Sequence, residues 1–306
     1  MRPALKPGLL PVWRDRDTLQ FGIDSRRAVA LTGMAGLASV IGLLDGSRDR
    51  AQVIRAAVDQ GIPADVVERV LALLAAAGAL DDFPAGTLRV LPAPLRARLA
   101  AELAAASLAN GDGDGGARTL ARRVAAQVLV QGSGRVAGGI CGLLRAAGVG
   151  RVLPDAGAAG PGPRPDLAIL VGHHSLDRRA ALMRGQIPHL AASADEAIGV
   201  VGPLVIPGRT ACLSCLDLTR ADRDPAWPLI LAQLDGRQAD PPACDAPLAA
   251  AVAAQAAAQA LAFIDRDALA GPVADGTLEL VLPGWQWRRR TWPRHNRCSC
   301  GSYTYR

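Results

Sequence analysis

The sequence predicts an α/β protein in two parts, a small N-terminal unit of strands and helices followed by a larger α/β domain. The chain has 306 residues, half of them apolar, which is enough to build two domains with a sizeable core. Aromatic residues make up only 3%, so the core must consist of many small aliphatic side chains packed between helices and strands. A buried strand, a glycine-rich turn and an apolar helix follow one another from residue 124, as in α/β folds.

The scattered arginines and the lack of long apolar runs predict a cytoplasmic protein without a nucleic-acid partner. The net charge is +6, Lys6 is the only lysine, and the arginines are scattered apart from the run 288–290. The first ten residues lack the apolar run of a signal peptide, and we expect no membrane-spanning stretch of about 18 apolar residues. Six cysteines in a cytosolic chain are expected to be free thiols or metal ligands rather than disulfides.

The N-terminal 84 residues have the element order of a winged-helix-like unit. Two short apolar runs in residues 10–23 flank a charged turn and predict a β-hairpin. Helices are predicted over residues 34–44, 49–59 and 63–77, the last with apolar residues at helical spacing and Gly78 at its C-terminal end. A helix over 95–108 and a glycine-rich linker at 110–116 then predict three segments: a domain over 1–84, a helical linker over 85–120 and a second domain over 121–306.

The second domain begins with a nucleotide-binding pattern that is incomplete. Gly132 and Gly134 belong to a G-x-G-x-x-A turn between a strand and a helix, where a phosphate can approach the backbone, and Asp155 ends the next strand as a candidate ribose-binding acid. A segment rich in glycine and proline then follows. His173 and His174 follow another buried strand, and we expect no catalytic role for them, so no catalytic residue is assigned.

Four cysteines in two short-spaced pairs predict a structural zinc site. Cys212 and Cys215 form C-x-x-C, and Cys298 and Cys300 form C-x-C. Four thiolates close a tetrahedral coordination sphere and leave no open position for water. His295 and Cys244 are the reserve ligands; a catalytic thiol at Cys244 and two redox dithiols are the alternatives.

These motifs resemble the ThiF, MoeB and ubiquitin-activating family. The run QGSGRVAGGICGLLRAAGVGRV is similar to the family's opening, and the cysteine pairs stand at the positions of its zinc knuckle, although Cys298 and Cys300 form C-x-C where most relatives have C-x-x-C. The resemblance implies a degenerate Rossmann-like domain, because the family's active-site lysine cannot exist in a chain whose only lysine is Lys6. Arg164 or Arg178 could replace its charge, although not its geometry. ATP binding is therefore not expected.

The segment CLDLTRADRDPAWP resembles the ThiF-like partner proteins of YcaO cyclodehydratases, and the N-terminal unit resembles PqqD-like precursor-peptide recognition elements. The first resemblance implies a non-catalytic component of a cyclodehydratase complex in the biosynthesis of azole and azoline peptides, and it implies a homodimer. The second implies that a leader peptide adds as a strand beside residues 18–23 and rests against residues 64–74. The peptide-binding residues expected on this basis are Thr18, Leu19, Gln20, Phe21, Val67, Val70, Leu71 and Leu74.

Three functions follow from these patterns. The first is a leader-binding scaffold that presents a precursor peptide to a YcaO-type enzyme. The second is an ATP-dependent adenylyltransferase acting on a small-protein or peptide C-terminus, which would need the missing lysine. The third is a winged-helix DNA-binding regulator, which leaves the segment CLDLTRADRDPAW without a role.

Overall fold

The chain divides into two compact units, Met1–Ala121 and Arg122–Arg306. In the computed structural model the described residues are 1–83, 88, 91–154, 164–234, 243–266 and 271–302. Asp155 and the glycine- and proline-rich segment after it lie outside the described residues. Helices and strands both contribute to each unit, as the sequence predicts.

Unit 1 contains two small antiparallel sheets and a group of helices. The strands are β1 (Pro3–Leu5), β2 (Pro11–Trp13), β3 (Leu19–Phe21), β4 (Val29–Leu31) and β5 (Leu80–Asp82); β1 pairs with β5, and the other sheet has the order β2-β3-β4. The helices are α1 (Ala38–Gly42), α2 (Arg50–Val58), α3 (Ala64–Ala76), α4 (Ala93–Arg98) and α5 (Ala100–Asn110). The predicted hairpin and α2 and α3 are present, whereas β1, β4 and β5 were not predicted.

Local chemistry explains where these helices begin. Asp49 precedes α2 and accepts a hydrogen bond from the Gln52 backbone, while the Gln52 side chain accepts one from the Asp49 backbone, which is a capping box. Helix α3 follows Pro63, whose backbone conformation suits the position before a first turn. Val67, Leu71 and Leu74 of α3 then pack into the core of unit 1.

The segment 110–116 differs from the predicted flexible linker. The Gly113 carbonyl accepts a hydrogen bond from the Asp82 backbone, and the Asp114 carboxylate accepts bonds from the backbones of Gly116 and Arg118. Helix α6 (Ala117–Ala125) follows directly. The glycine-rich sequence therefore forms a hydrogen-bonded turn, because short glycine segments can adopt backbone conformations that let an aspartate bond its neighbours.

Unit 2 is built on a seven-stranded sheet in the order β12-β11-β10-β9-β8-β6-β7. Strands β6, β7, β8 and β9 are parallel, and β10, β11 and β12 continue the sheet antiparallel. Their bounds are β6 (Gln127–Gln131), β7 (Arg151–Pro154), β8 (Leu167–Val171), β9 (His189–Asp195), β10 (Ile198–Val205), β11 (Gly276–Val281) and β12 (Trp287–Thr291).

The helices of unit 2 cover the sheet with the apolar faces that the sequence provides. They are α7 (Gly134–Ala146), α8 (Leu176–Arg184), α9 (Leu213–Ala221), α10 (Trp227–Leu234) and α11 (Ala246–Arg266). Helices α7 and α11 share the main core with the buried side chains of the sheet. The stretch Ala246–Asp265 is long and apolar enough to cross a membrane by composition, which corrects our expectation, but its Val252, Ala256 and Ala260 are buried in this core.

Candidate functional site

The four predicted cysteines come together in unit 2. Cys212 lies at the N-terminal end of α9 and Cys215 in its first turn, while Cys298 and Cys300 lie at a short 3-10 helix, Ser299–Ser302. The Sγ–Sγ distances are 3.8 Å for Cys212–Cys215, 3.6 Å for Cys212–Cys298 and 3.5 Å for Cys215–Cys300, and all four sulfurs lie within 4.8 Å of one another. A tetrahedral zinc with Zn–S bonds near 2.3 Å places its sulfurs about 3.8 Å apart. The cluster therefore has the dimensions of a tetrathiolate metal site.

The electrostatics of the cluster favour a bound cation. The Cys212 thiol donates to the Cys215 sulfur, which lowers the pKa of Cys215 to about 4 and raises that of Cys212. Burial and the neighbouring sulfurs raise the pKa of Cys300 to about 11. Cys212 and Cys300 therefore keep their protons more firmly than a free thiol, whereas a divalent metal would stabilise the thiolate form of its ligands.

A buried aromatic residue supports the cluster. Trp292 is 1% exposed, packs in the same small core as the buried cysteines, and donates its indole N–H to Thr277 over 2.9 Å. The Arg220 guanidinium lies 5.5 Å from the Trp292 ring centroid and 4.8 Å from that of Trp227. The reserve ligand His295 bonds Asp222 over 2.8 Å instead of joining the cluster.

The CLDLTRADRDPAW segment holds α9 and α10 together. Asp217 accepts hydrogen bonds from Arg179 at 2.9 Å and from the Trp227 indole at 3.2 Å, and it also pairs with Arg220. From the sequence alone, this segment indicated only a family resemblance. The i, i+3 spacing of Asp217 and Arg220 was the available signal for its structural role.

Gly132 and Gly134 form the turn that the sequence predicts after β6. Their φ values are +120° and +82°, which favour glycine, and a Cβ on Gly132 would lie 2.5 Å from the Val171 carbonyl oxygen. A cavity of about 310 Å³ lies beside the turn and is bordered by Cys141, Arg145 and Pro154. The turn thus exposes the N-terminal end of α7, where backbone N–H groups could meet an anion.

The only lysine of the chain, Lys6, is buried in unit 1. Lys6 is 3% exposed, donates to the Ser107 carbonyl over 2.8 Å and pairs with Asp81 at 3.5 Å. Ser107 in turn donates its hydroxyl to Asp81 over 2.7 Å. Lys6 therefore has hydrogen-bond and ion-pair partners within unit 1.

The structure describes the surroundings of two other sequence candidates, Cys244 and His174. Cys244 is partly exposed, and burial together with Asp195 and Asp245 raises its pKa, which opposes a nucleophilic thiolate. His174 borders a small crevice with Leu231 and Leu234 of α10. His189, which was not among the sequence candidates, is buried, and burial lowers its pKa to about 4.

The structure of unit 1 does not agree with a peptide groove between residues 18–23 and 64–74. Strand β3 is the centre of its sheet and pairs with β2 and β4 on its two edges, so no further strand can add along residues 18–23. Six of the eight predicted contact residues are core side chains, while Thr18 and Gln20 are half-buried; the core ones are Leu19, Phe21, Val67, Val70, Leu71 and Leu74. Their apolar periodicity marked the core rather than a binding surface.

Among the residues that the structure describes, no strand pairs with the outer edge of β4, so this edge of the sheet is open. Arg14 and Gly22 each donate a backbone hydrogen bond across the β2–β3 pair. Backbone groups alternate between the two edges of a strand, so the N–H and C=O groups of Leu19 and Phe21 in β3 point toward β4. These two residues lie opposite Leu31 and Val29. The backbone N–H and C=O of Ala30 consequently point away from β3. On the other edge, β2 carries Pro11, which lacks an N–H donor.

Comparison with known proteins shows the fold of the chain. No protein-family model matches it, and no curated protein matches its sequence. Solved structures do match: the heterocyclase TruD with a TM-score of 0.69 and 18% identity, E. coli MccB with AMPCPP and MccA at 0.67 and 14%, and the microcin C7 biosynthetic enzyme MccB with N-formylated MccA at 0.65 and 14%. Each match covers 98% of this chain; it covers 43% of the TruD chain and 100% of each of these two MccB chains.

Proposed function

We propose that the chain is a peptide-binding scaffold, which holds the leader of a ribosomally made precursor peptide and presents the precursor to a YcaO-type cyclodehydratase. The observation that carries the proposal is the open β4 edge of the sheet in unit 1. The fold likeness to a heterocyclase and to a microcin biosynthetic enzyme supports a role in peptide maturation. Since the chain spans less than half of TruD, we assign the ring-forming chemistry to the partner.

The leader pairs with β4 as an additional antiparallel strand. Ala30 supplies an outward N–H and C=O, and half-buried Val29 lies beside it on the face toward the core. Main-chain hydrogen bonds provide affinity in this mode of recognition, and side-chain pockets beside the strand provide specificity. This placement replaces residues 18–23 as the docking strand.

Zinc bound by Cys212, Cys215, Cys298 and Cys300 stabilises unit 2 in this proposal. The donor set and the Sγ spacing fit a closed tetrahedral site, which leaves no position for a reactive water. The ion links the α9 end to the C-terminal segment, 85 or 86 residues away in sequence. Its role is to hold the surface on which the partner docks.

A second function is an ATP-dependent adenylyltransferase. The cavity of about 310 Å³ at the glycine turn favours it, as does the likeness to MccB along its whole length, including the structure with AMPCPP. Against it stands Lys6, which is buried in unit 1 with Asp81 and Ser107. Gly132 and Gly134 would then hold the phosphates by their backbone N–H groups.

The scaffold function is tested by fluorescence anisotropy with the leader of a precursor encoded beside this gene. Ala30→Pro removes the outward N–H of β4 without breaking the β3–β4 ladder, and we expect it to weaken leader binding about ten-fold or more. Trp13→Pro is the matched control, because it changes the outward N–H of β2 instead. Equal leader affinity of the Ala30→Pro and Trp13→Pro variants would refute the proposal. So would a parent chain that binds no leader of a precursor encoded beside this gene.

A further inference from the structure

Strand β12 is an open edge of the seven-stranded sheet of unit 2. It pairs with β11 on one side and, within the part of the chain that the structure describes, has no strand on the other. Four of its five residues, Arg288 to Thr291, are exposed. An exposed, unpaired edge without proline is a template for another strand.

The pairing register identifies the backbone groups that face outward. Trp292 donates its backbone N–H to the Asp275 carbonyl, and the register of β11 and β12 continues from this bond. By alternation, Arg288 and Arg290 direct their backbone groups toward β11. The N–H and C=O groups of Trp287, Arg289 and Thr291 therefore point away from the sheet.

The side chains of this edge are strongly basic. Arg288 and Arg290 project to the same face, since they lie two residues apart, and Arg290 stacks 4.2 Å from the Trp292 ring centroid. Arg289 projects to the other face and bonds the Pro272 carbonyl over 2.7 Å. Among the described residues none of the three forms an ion pair, although Glu279 lies opposite Arg288 in the register.

This charge pattern disfavours pairing of β12 with the β12 strand of a second copy of the chain. If β12 paired antiparallel with β12 of another molecule about Arg289, each Arg288 would lie opposite an Arg290. Like charges directly opposite each other destabilise a strand pair, whereas opposite charges stabilise it. The edge is thus matched to a strand that carries carboxylates.

We propose that β12 is a docking strand for an acidic, extended segment of a partner protein. The segment pairs antiparallel through the outward groups of Trp287, Arg289 and Thr291. Its carboxylates, two residues apart, lie opposite Arg288 and Arg290. This surface is separate from the β4 edge assigned to the leader, so the inference does not depend on the proposed function.

The test is fluorescence anisotropy of the full chain with the labelled peptide Thr-Val-Glu-Val-Glu-Val-Thr. We expect binding about ten-fold tighter than for the same peptide with lysines in place of both glutamates, and a loss of similar size in Arg288→Gln/Arg290→Gln. Arg151→Gln/Arg184→Gln, which removes two exposed arginines elsewhere in unit 2, should bind like the parent chain. Equal affinity for the acidic and basic peptides would overturn the proposal.

A second pair of variants separates strand pairing from attraction of charge alone. Arg289→Pro removes an outward N–H, whereas Arg289→Thr keeps it and removes the same guanidinium; we expect only the proline variant to lose the peptide. Unchanged binding by Arg289→Pro would overturn the proposal. So would tighter binding of single-stranded DNA than of the acidic peptide, or a dimer in sedimentation that Arg289→Pro dissociates.

Discussion

The two predicted sites of unit 2 differ in how much of their chemistry the chain supplies. The cysteine cluster has four sulfurs within 4.8 Å of one another and a buried tryptophan beneath them. The glycine turn has positive φ values at Gly132 and Gly134, yet the only lysine lies buried in unit 1. A metal site made of four ligands is complete in itself, whereas catalysis on a nucleotide also needs charges placed around it. The difference supports a fold retained as a scaffold.

Removing one ligand of the cysteine cluster should have the largest effect. Cys212→Ser is expected to abolish zinc binding and to lower the free energy of unfolding by at least about 5 kcal/mol, since the binding energy of a structural metal contributes to folding. Metal analysis of the parent chain should return one zinc, and calorimetry should show the loss of stability. Cys244→Ser, outside the cluster, is the control and should keep the metal. Full stability without metal would show that the cysteine cluster is not a structural metal site.

Variants of the buried pair of Lys6 and Asp81 test whether Lys6 has a structural role. Lys6→Met leaves Asp81 uncompensated and should cost about 3 kcal/mol of unfolding free energy in denaturant titrations. The double variant Lys6→Met/Asp81→Val removes both charges and should recover part of that loss. A Lys6→Met chain with parental stability would contradict the structural role.

His189 gives the region beside Cys212 a dependence on pH. Its pKa is about 4 in the folded chain because the ring is buried, against an ordinary value of 6.5, so unfolding exposes a histidine that takes up a proton more readily. Above pH 6.5 this contribution is constant; as pH falls from 6.5 to 4 it should lower stability by up to about 3 kcal/mol. His189→Gln should flatten the pH profile of the unfolding free energy in this window. An unchanged profile would show that His189 is not the group responsible.

Alanine substitution should destabilise the chain more at Gly132 than at Gly134. Gly132→Ala places a Cβ against the Val171 carbonyl as well as at positive φ, and should cost about 2 kcal/mol. Gly134→Ala meets no atom within 4 Å and should cost about 1 kcal/mol, from its φ alone. Thermal unfolding of both variants measures the difference. Equal costs would mean that the close approach to Val171 does not constrain the turn.

Much of unit 2 could be predicted from its sequence, because strand and helix periodicities there are long and the motifs have fixed spacing. The glycine turn before α7 and the cysteine cluster lie where they were expected. Unit 1 was harder, since strands of three residues such as β4 leave almost no pattern. The apolar spacing of α3 identified a helix face but could not tell whether that face meets a core or a ligand. Only the sheet order showed that β3 is central and β4 open.

The central claim, that this fold acts as a scaffold rather than as an adenylating enzyme, is tested most directly by ATP–pyrophosphate exchange. The intact chain is incubated with ATP, magnesium and the precursor peptide whose leader it binds, and label exchange between pyrophosphate and ATP is measured. The scaffold predicts no exchange above the background without protein. Exchange that depends on the precursor and disappears in Gly134→Glu, which would block the turn, would contradict it and establish the adenylyltransferase.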